Sequence, residues 1–179
     1  MTASPPCTYV ALDFETADSR RDSACAIGMV KVRDGRIADT LYQLLRPPRS
    51  AFSPFCIKVH GIRWSDVRHS PTFREFWLEH AGFLEDVNFL AAHNARFDQA
   101  VLTACCAMAR LPAPSLSFVC TVELARSQWD LRPTKLPDVC RFLNFNLNHH
   151  HAQSDAEACA RIVMAALAEN PDCLNPFGV

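Results

Sequence analysis

The chain has 179 residues, 49% of them hydrophobic and 21% charged, with a formal net charge of −1. That length allows one domain with a full core, and the balance is that of a soluble globular protein rather than a disordered or fibrous one. No global basic field exists for nonspecific duplex binding, which argues against a chromatin or architectural role but leaves room for an enzyme that grips a few terminal nucleotides.

The opening stretch, MTASPPCTYV, has no basic region followed by an apolar run, so no secretion signal is expected. No segment approaches the roughly 18 apolar residues of a membrane span. The nine cysteines form no CxxC pair and no zinc-ribbon spacing, which predicts reduced thiols and a cytoplasmic location. The first predicted element is a strand over about Tyr9–Phe14. Period two puts Val10, Leu12 and Phe14 on one face and Ala11, Asp13 and Glu15 on the other. Neighbouring carboxylates on a partly buried strand repel unless a cation or a proton intervenes. The pair is therefore either a solvated strand face or half of a divalent-metal site.

Strands are predicted next at Ala24–Arg33 and Arg36–Leu45, joined through Asp34-Gly35, a strong hairpin signal. RPPRSAFSPF reads as a loop. PTFREFWLEHAGFL reads as a helix opened by a Thr72/Glu75 capping box, with an apolar stripe of Phe73, Phe76, Trp77 and Phe83. VNFLAAH is a buried strand, followed by a helix, NARFDQAVLTACCAMAR, closed by Leu111-Pro112. A strand LSFVCT and helices near Val122–Trp129 and Leu136–Leu143 come next. The last helix, SDAEACARIVMAALAEN, has a second capping-box spacing at Ser154 and Glu157. An antiparallel meander followed by alternating strands and helices predicts an α/β fold with a mixed sheet flanked by helices.

Two helices begin their apolar face with an aspartate. Asp98 precedes the stripe Val101, Leu102, Cys105 and Met108; Asp155 precedes Cys159, Ile162, Val163, Ala166 and Leu167. Each aspartate alone could simply compensate a helix dipole. Together with Asp13 and Glu15, all four can converge on one sheet face. All-oxygen donors suit magnesium or manganese rather than zinc, and two such ions are an established arrangement for in-line displacement at phosphorus.

ALDFET, AHNARFD and HHAQSDAEA together resemble the three motifs of the DEDDh 3′→5′ exonucleases, the family of the proofreading subunit of bacterial DNA polymerase III and of ribonuclease T. SACAIGMVKVRDGRI, KVHGI and TKLPDVCRFL also fit, so the likeness covers about residues 8–168 of one exonuclease domain, 1–179. The resemblance implies an RNase H-like five-stranded mixed β-sheet flanked by α-helices. It further implies two divalent cations, Mg2+ or Mn2+, held by Asp13, Glu15, Asp98 and Asp155, with a histidine as general base.

NHHHAQSD offers His149, His150 and His151. The family's histidine lies five residues before its last aspartate, which selects His150; the sister DEDDy group has a tyrosine four residues before, the register of His151. Thr16 and Ala17, His60, Gly61 and Ile62, and His93 and Asn94 resemble residues lining the nucleotide cleft. Gly61 could equally be a loop breaker and Asn94 a helix N-cap. Phe97 reads as core rather than as a stacking platform, and Lys135 could meet the phosphate backbone.

The implied activity is release of nucleoside 5′-monophosphates from 3′ ends of single-stranded DNA. Two alternatives are an exoribonuclease acting on RNA ends or short oligoribonucleotides, and a noncatalytic nucleic-acid-binding module. No residue can be identified that senses a 2′-hydroxyl, whereas a binding module has no use for clustered like charges. Proofreading subunits of this family often continue past the last motif into a polymerase-binding segment. Only NPDCLNPFGV follows the last helix here, so polymerase association is a partnership the resemblance allows, but without a long C-terminal segment to make it stable by that route.

Overall fold

A computed structural model describes residues 7–179; most of the stretch read for a secretion signal, residues 1–6, lies outside them. Three strands come first: β1 (Thr8–Thr16), β2 (Ala24–Arg33) and β3 (Arg36–Leu44). The β2–β3 turn is made by Asp34 and Gly35, both at positive φ (51° and 71°), as a two-residue hairpin of the right twist requires. Helices α1 (Pro54–His60), α2 (Trp64–Val67) and α3 (Phe73–Glu79) follow, then β4 (Phe89–Ala92) and α4 (Arg96–Ala109). The chain ends with β5 (Ser117–Cys120), α5 (Thr121–Trp129), α6 (Leu136–Phe142) and α7 (Ala152–Glu169).

The five strands form one mixed sheet in the order β3-β2-β1-β4-β5. β2 is antiparallel to β1 and β3, while β4 runs parallel to β1 and β5 parallel to β4. The period-two reading of β1 holds. Val10, Leu12 and Phe14 pack with Val101, Leu102 and Cys105 of α4 on one face. Tyr9 and Ala11 pack with Ile162 and Val163 of α7 on the other. Tyr9 also donates its hydroxyl to the Ala160 carbonyl at 2.8 Å and stacks on Phe89, so a polar tip is satisfied within the apolar layer.

Several boundaries depart from expectation. The loop read in RPPRSAFSPF contains the start of α1: Ser53-Pro54 places a proline at the first helical position, a start signal that the neighbouring Pro47 and Pro48 obscure. α3 keeps its Thr72/Glu75 capping box but ends at Glu79, and Ala81–Leu84 continues as a 3₁₀ turn. The second capping box does not form. α7 starts at Ala152, so Ser154 lies inside its first turn and accepts the Asn148 N–H at 2.9 Å. Asn94 is not the N-cap of α4; Ala95 is, and Asn94 takes φ 65° in the turn before it. Met108, expected in the core stripe of α4, is exposed, and Cys106 and Ala109 are buried instead.

Candidate active site

The end of β1 overhangs its parallel neighbour, because the β1–β4 pairing stops at Ala11 and Ala91. The Phe14 N–H is thus left without a strand partner, and Asp98 Oδ1 accepts it at 3.0 Å. A buried backbone donor needs such a partner, so this bond carries the first turn of α4 over the end of the sheet. Asp98 is only 2% exposed.

Asp155 arrives from the other face. Asp13 pairs across β1–β2 with Gly28, and a Cβ at Gly28 would stand 2.2 Å from the Ala152 carbonyl oxygen. Only a bare backbone lets the start of α7 lie so close to the sheet, and Asp155 follows one turn later. A glycine inside an apolar strand is the one signal of such an approach that the sequence carries. A register shift between Glu15 and Thr16 bends the end of β1 beside the site.

Ligand atoms of Asp13, Glu15 and Asp155 all lie within 4.8 Å of one another. Glu15 is 8% and Asp155 4% exposed. Asp155 Oδ1 is buried with no hydrogen-bond partner, an unsatisfied acceptor of the kind a cation would complete. Burial, then mutual repulsion, raises the acids: Asp13 goes well above the usual carboxylate range, and Glu15 is pushed up to about 8. Asp98 also rises to about 8 through burial, opposed by the Phe14 N–H and by the Arg21 charge. The donor set suits a divalent cation, since three clustered carboxylates offer only hard oxygen ligands.

These shifts predict how the metal-free protein responds to pH. The folded state holds the Glu15 proton more tightly than the unfolded chain does, whose value is near 4.5, so between there and about 8 the native state binds more protons. Stability therefore falls as pH rises through that window. In chelator, the midpoint of thermal unfolding is expected to drop between those limits, by about 2–4 °C for each kcal/mol lost. Added Mg2+ or Mn2+ is expected to reverse the drop at the alkaline end. A midpoint that rises across the same range would contradict this clustering of acids.

The carboxylates open into a cavity of about 640 Å³ lined by α1, the turn before α4, and the histidine loop. Four imidazoles face it, and three are already engaged. His60 accepts the Ile62 N–H on Nδ1 and bonds the Thr16 carbonyl through Nε2. His93 bonds Thr121 through Nδ1 and the Thr134 carbonyl through Nε2; burial lowers it to about 4. His149 Nδ1 lies 3.0 Å from Asp155 Oδ2. The His150 ring bonds none of the described residues; its backbone N–H donates to Asp155 Oδ2, and its ring stacks on His149 at 3.7 Å. His151 does not line the cavity and stacks on Tyr42.

Among the expected nucleotide-binding residues, Thr16, His60, His93 and Asn94 line the cavity. Ala17, Gly61 and Ile62 do not. Ala17 is buried, and its carbonyl accepts the Ser53 N–H that ties α1 to the β1–β2 loop. Gly61 caps α1 at φ 78°. Phe55 lies in a segment that reads as loop in the sequence; it is 73% exposed and stands at the cavity wall. Phe97 also lines the cavity, half-buried, beneath the Arg21 guanidinium at 4.4 Å.

An exonuclease family profile, RNase T, matches residues 10–163. The DNA polymerase III PolC-type of Thermotoga maritima is 32% identical over 160 residues, 88% of this chain and 12% of that protein. The Clostridium perfringens PolC-type polymerase is 34% identical over 162 residues, 87% and 11%. The chain thus spans about an eighth of the length of these relatives. Among solved structures, Exonuclease X in complex with 5′ overhanging duplex DNA is 25% identical with a TM-score of 0.73, covering 91% of this chain and 93% of that one. The nuclease domain of 3′hExo, a DEDDh family member bound to rAMP, is 19% identical with a TM-score of 0.81, covering 94% and 96%. The five-stranded mixed sheet with flanking helices is the RNase H-like fold of these neighbours.

Proposed function

Because the chain belongs to the exonuclease family, as a 3′→5′ exonuclease of the DEDDh type, we propose that it forms one exonuclease domain that removes nucleoside 5′-monophosphates from single-stranded DNA 3′ ends. The observation that carries this reading is the meeting of Asp13, Glu15 and Asp155 at the floor of a cavity, beside an imidazole free to take a proton. Asp13, Glu15, Asp98 and Asp155 would hold two divalent cations, which when bound supply charge neutralisation at the scissile phosphate and activation of water.

The chain's own groups do the rest. The His150 ring accepts the proton of the attacking water, a task for which a neutral imidazole is suited near neutral pH. Thr16 and Asn94, with the carbon edges of His60 and His93, wall the pocket for the terminal nucleotide. Exposed Phe55 offers a face on which a base can stack, and such contacts are worth about 1–3 kcal/mol per base. Phe97 lies under Arg21 and serves as its support.

DNA is favoured over RNA because relatives above 30% identity are DNA polymerases and Exonuclease X was solved with DNA. The neighbour bound to rAMP, at 19% identity, shares too little sequence to carry a substrate argument. The PolC likeness supports association with a replicative polymerase. All nine cysteines are free thiols, which supports a reducing, cytoplasmic location. Among the described residues no helix is long and apolar enough to cross a membrane.

The test is mononucleotide release from end-labelled single-stranded DNA and RNA oligomers with Mg2+ or Mn2+. Stepwise shortening from the 3′ end of DNA is expected, with resistance of 3′-phosphorylated and circular strands. Preferred cleavage of RNA would move the substrate to the second reading, and cutting of closed circles would indicate an endonuclease.

A further inference from the structure

Arg21, exposed in the β1–β2 loop, lines two neighbouring depressions: the active-site cavity and a shallow groove along the outer face of α4. Its guanidinium carbon stands over the Phe97 ring, 4.4 Å from its centre, at the saddle between them, a contact that holds a cation in place without neutralising it. Beyond the saddle the groove is floored by Ala100 and Ala104 and edged by Arg96 and Gln99. Small side chains there leave the helix backbone close to whatever lies in the groove.

The charge is one-sided. The chain carries 19 acids against 18 lysines and arginines, yet α4 has a single acid, Asp98, and that one is buried toward the active site. Neither the Arg21 nor the Arg96 guanidinium forms an ion pair with the described residues; Asp18 and Asp22, the acids nearest in the loop, are both taken by Arg49. Arg96 stands in the first turn of a 14-residue helix, whose positive end reinforces the same sign. From Arg96 to Thr103, which also edges the groove, the helix advances on the order of 10 Å.

We propose that this groove carries the sugar–phosphate backbone of a single strand on the 5′ side of the terminal nucleotide, with Arg21 at the exit from the cavity and Arg96 beyond it. The inference rests on the exonuclease reading and adds to it the path of the strand. It makes the enzyme sensitive to substrate length and to salt through Arg21 at the cavity mouth and Arg96 beyond it.

Arg21 acts on Asp98 electrostatically, so the informative single variants are Arg96→Ala and Gln99→Glu, both at exposed positions. On a dodecamer of oligothymidylate, each is expected to lower kcat/KM about three- to tenfold more than on the dinucleotide. In chelator, anisotropy of the fluorescein-labelled dodecamer gives the dependence of log affinity on log salt. Its slope is expected to flatten by about 0.7 for Arg96→Ala and by about 1.4 when Arg21→Ala is added, one released phosphate contact apiece. Equal losses on both lengths, or an unchanged slope, would overturn the groove while leaving the exonuclease reading intact. Failure of the wild-type chain to shorten any oligomer would overturn the exonuclease reading, and the anisotropy slopes would still decide the groove.

Discussion

Replacing Asp13 by asparagine is expected to lower single-turnover exonuclease activity on the order of 10⁴-fold, because the carboxylates work as a unit and not as independent contributors. The amide keeps the volume and two polar atoms but removes one of the charges that a divalent cation needs. Adding Asp155→Asn is expected to cost little more, since the unit is already broken. Stability should move the opposite way. Asp13 is held well above the usual carboxylate range by burial and by Asp98, Glu15 and Asp155, so the asparagine relieves repulsion, and the metal-free variant should melt no lower than the parent at the alkaline end. Activity near normal at saturating Mg2+ would show that the acids serve something other than metal-dependent hydrolysis.

The four acids were legible because each breaks a local pattern: two carboxylates inside an apolar strand, and one aspartate at the head of each buried helix face. The meeting of Asp13, Glu15 and Asp155, and the placing of Asp98 on the Phe14 N–H, rest on features that periodicity does not carry. Asp98 is brought in by the unpaired Phe14 N–H, a consequence of where β4 stops. Asp155 is brought in by the absent side chain of Gly28. The strands and most helices were readable from apolar spacing, and the Thr72/Glu75 box from its own residues. α1 was hidden because it is short and lies among prolines, and with it Phe55 was missed. Ser154 and Glu157 have capping-box spacing, but tertiary contact with the sheet lets α7 start three residues earlier, with His151 as its N-cap. His93 lines the cavity as expected, and its ring also ties β4 to Thr121 and Thr134, a partnership between segments that no local pattern announces.

His150→Ala is expected to reduce turnover about 10²–10⁴-fold, the range for losing a positioned proton acceptor, with metal affinity retained because the carboxylates supply the donors. The neighbouring histidines differ in ways the structure makes concrete. His149 braces Asp155 through Nδ1, so His149→Ala should chiefly raise the metal concentration needed for half-maximal rate. His151 rests on Tyr42 outside the cavity, so its replacement should change turnover little. Single-turnover pH profiles at saturating Mg2+ separate the three. The acidic limb should vanish only with His150→Ala, and free imidazole should restore part of that variant's rate by filling the vacated space. Loss of the limb with His151→Ala and its survival with His150→Ala would transfer the role of base to the other register, and would require the loop to turn over when nucleic acid binds.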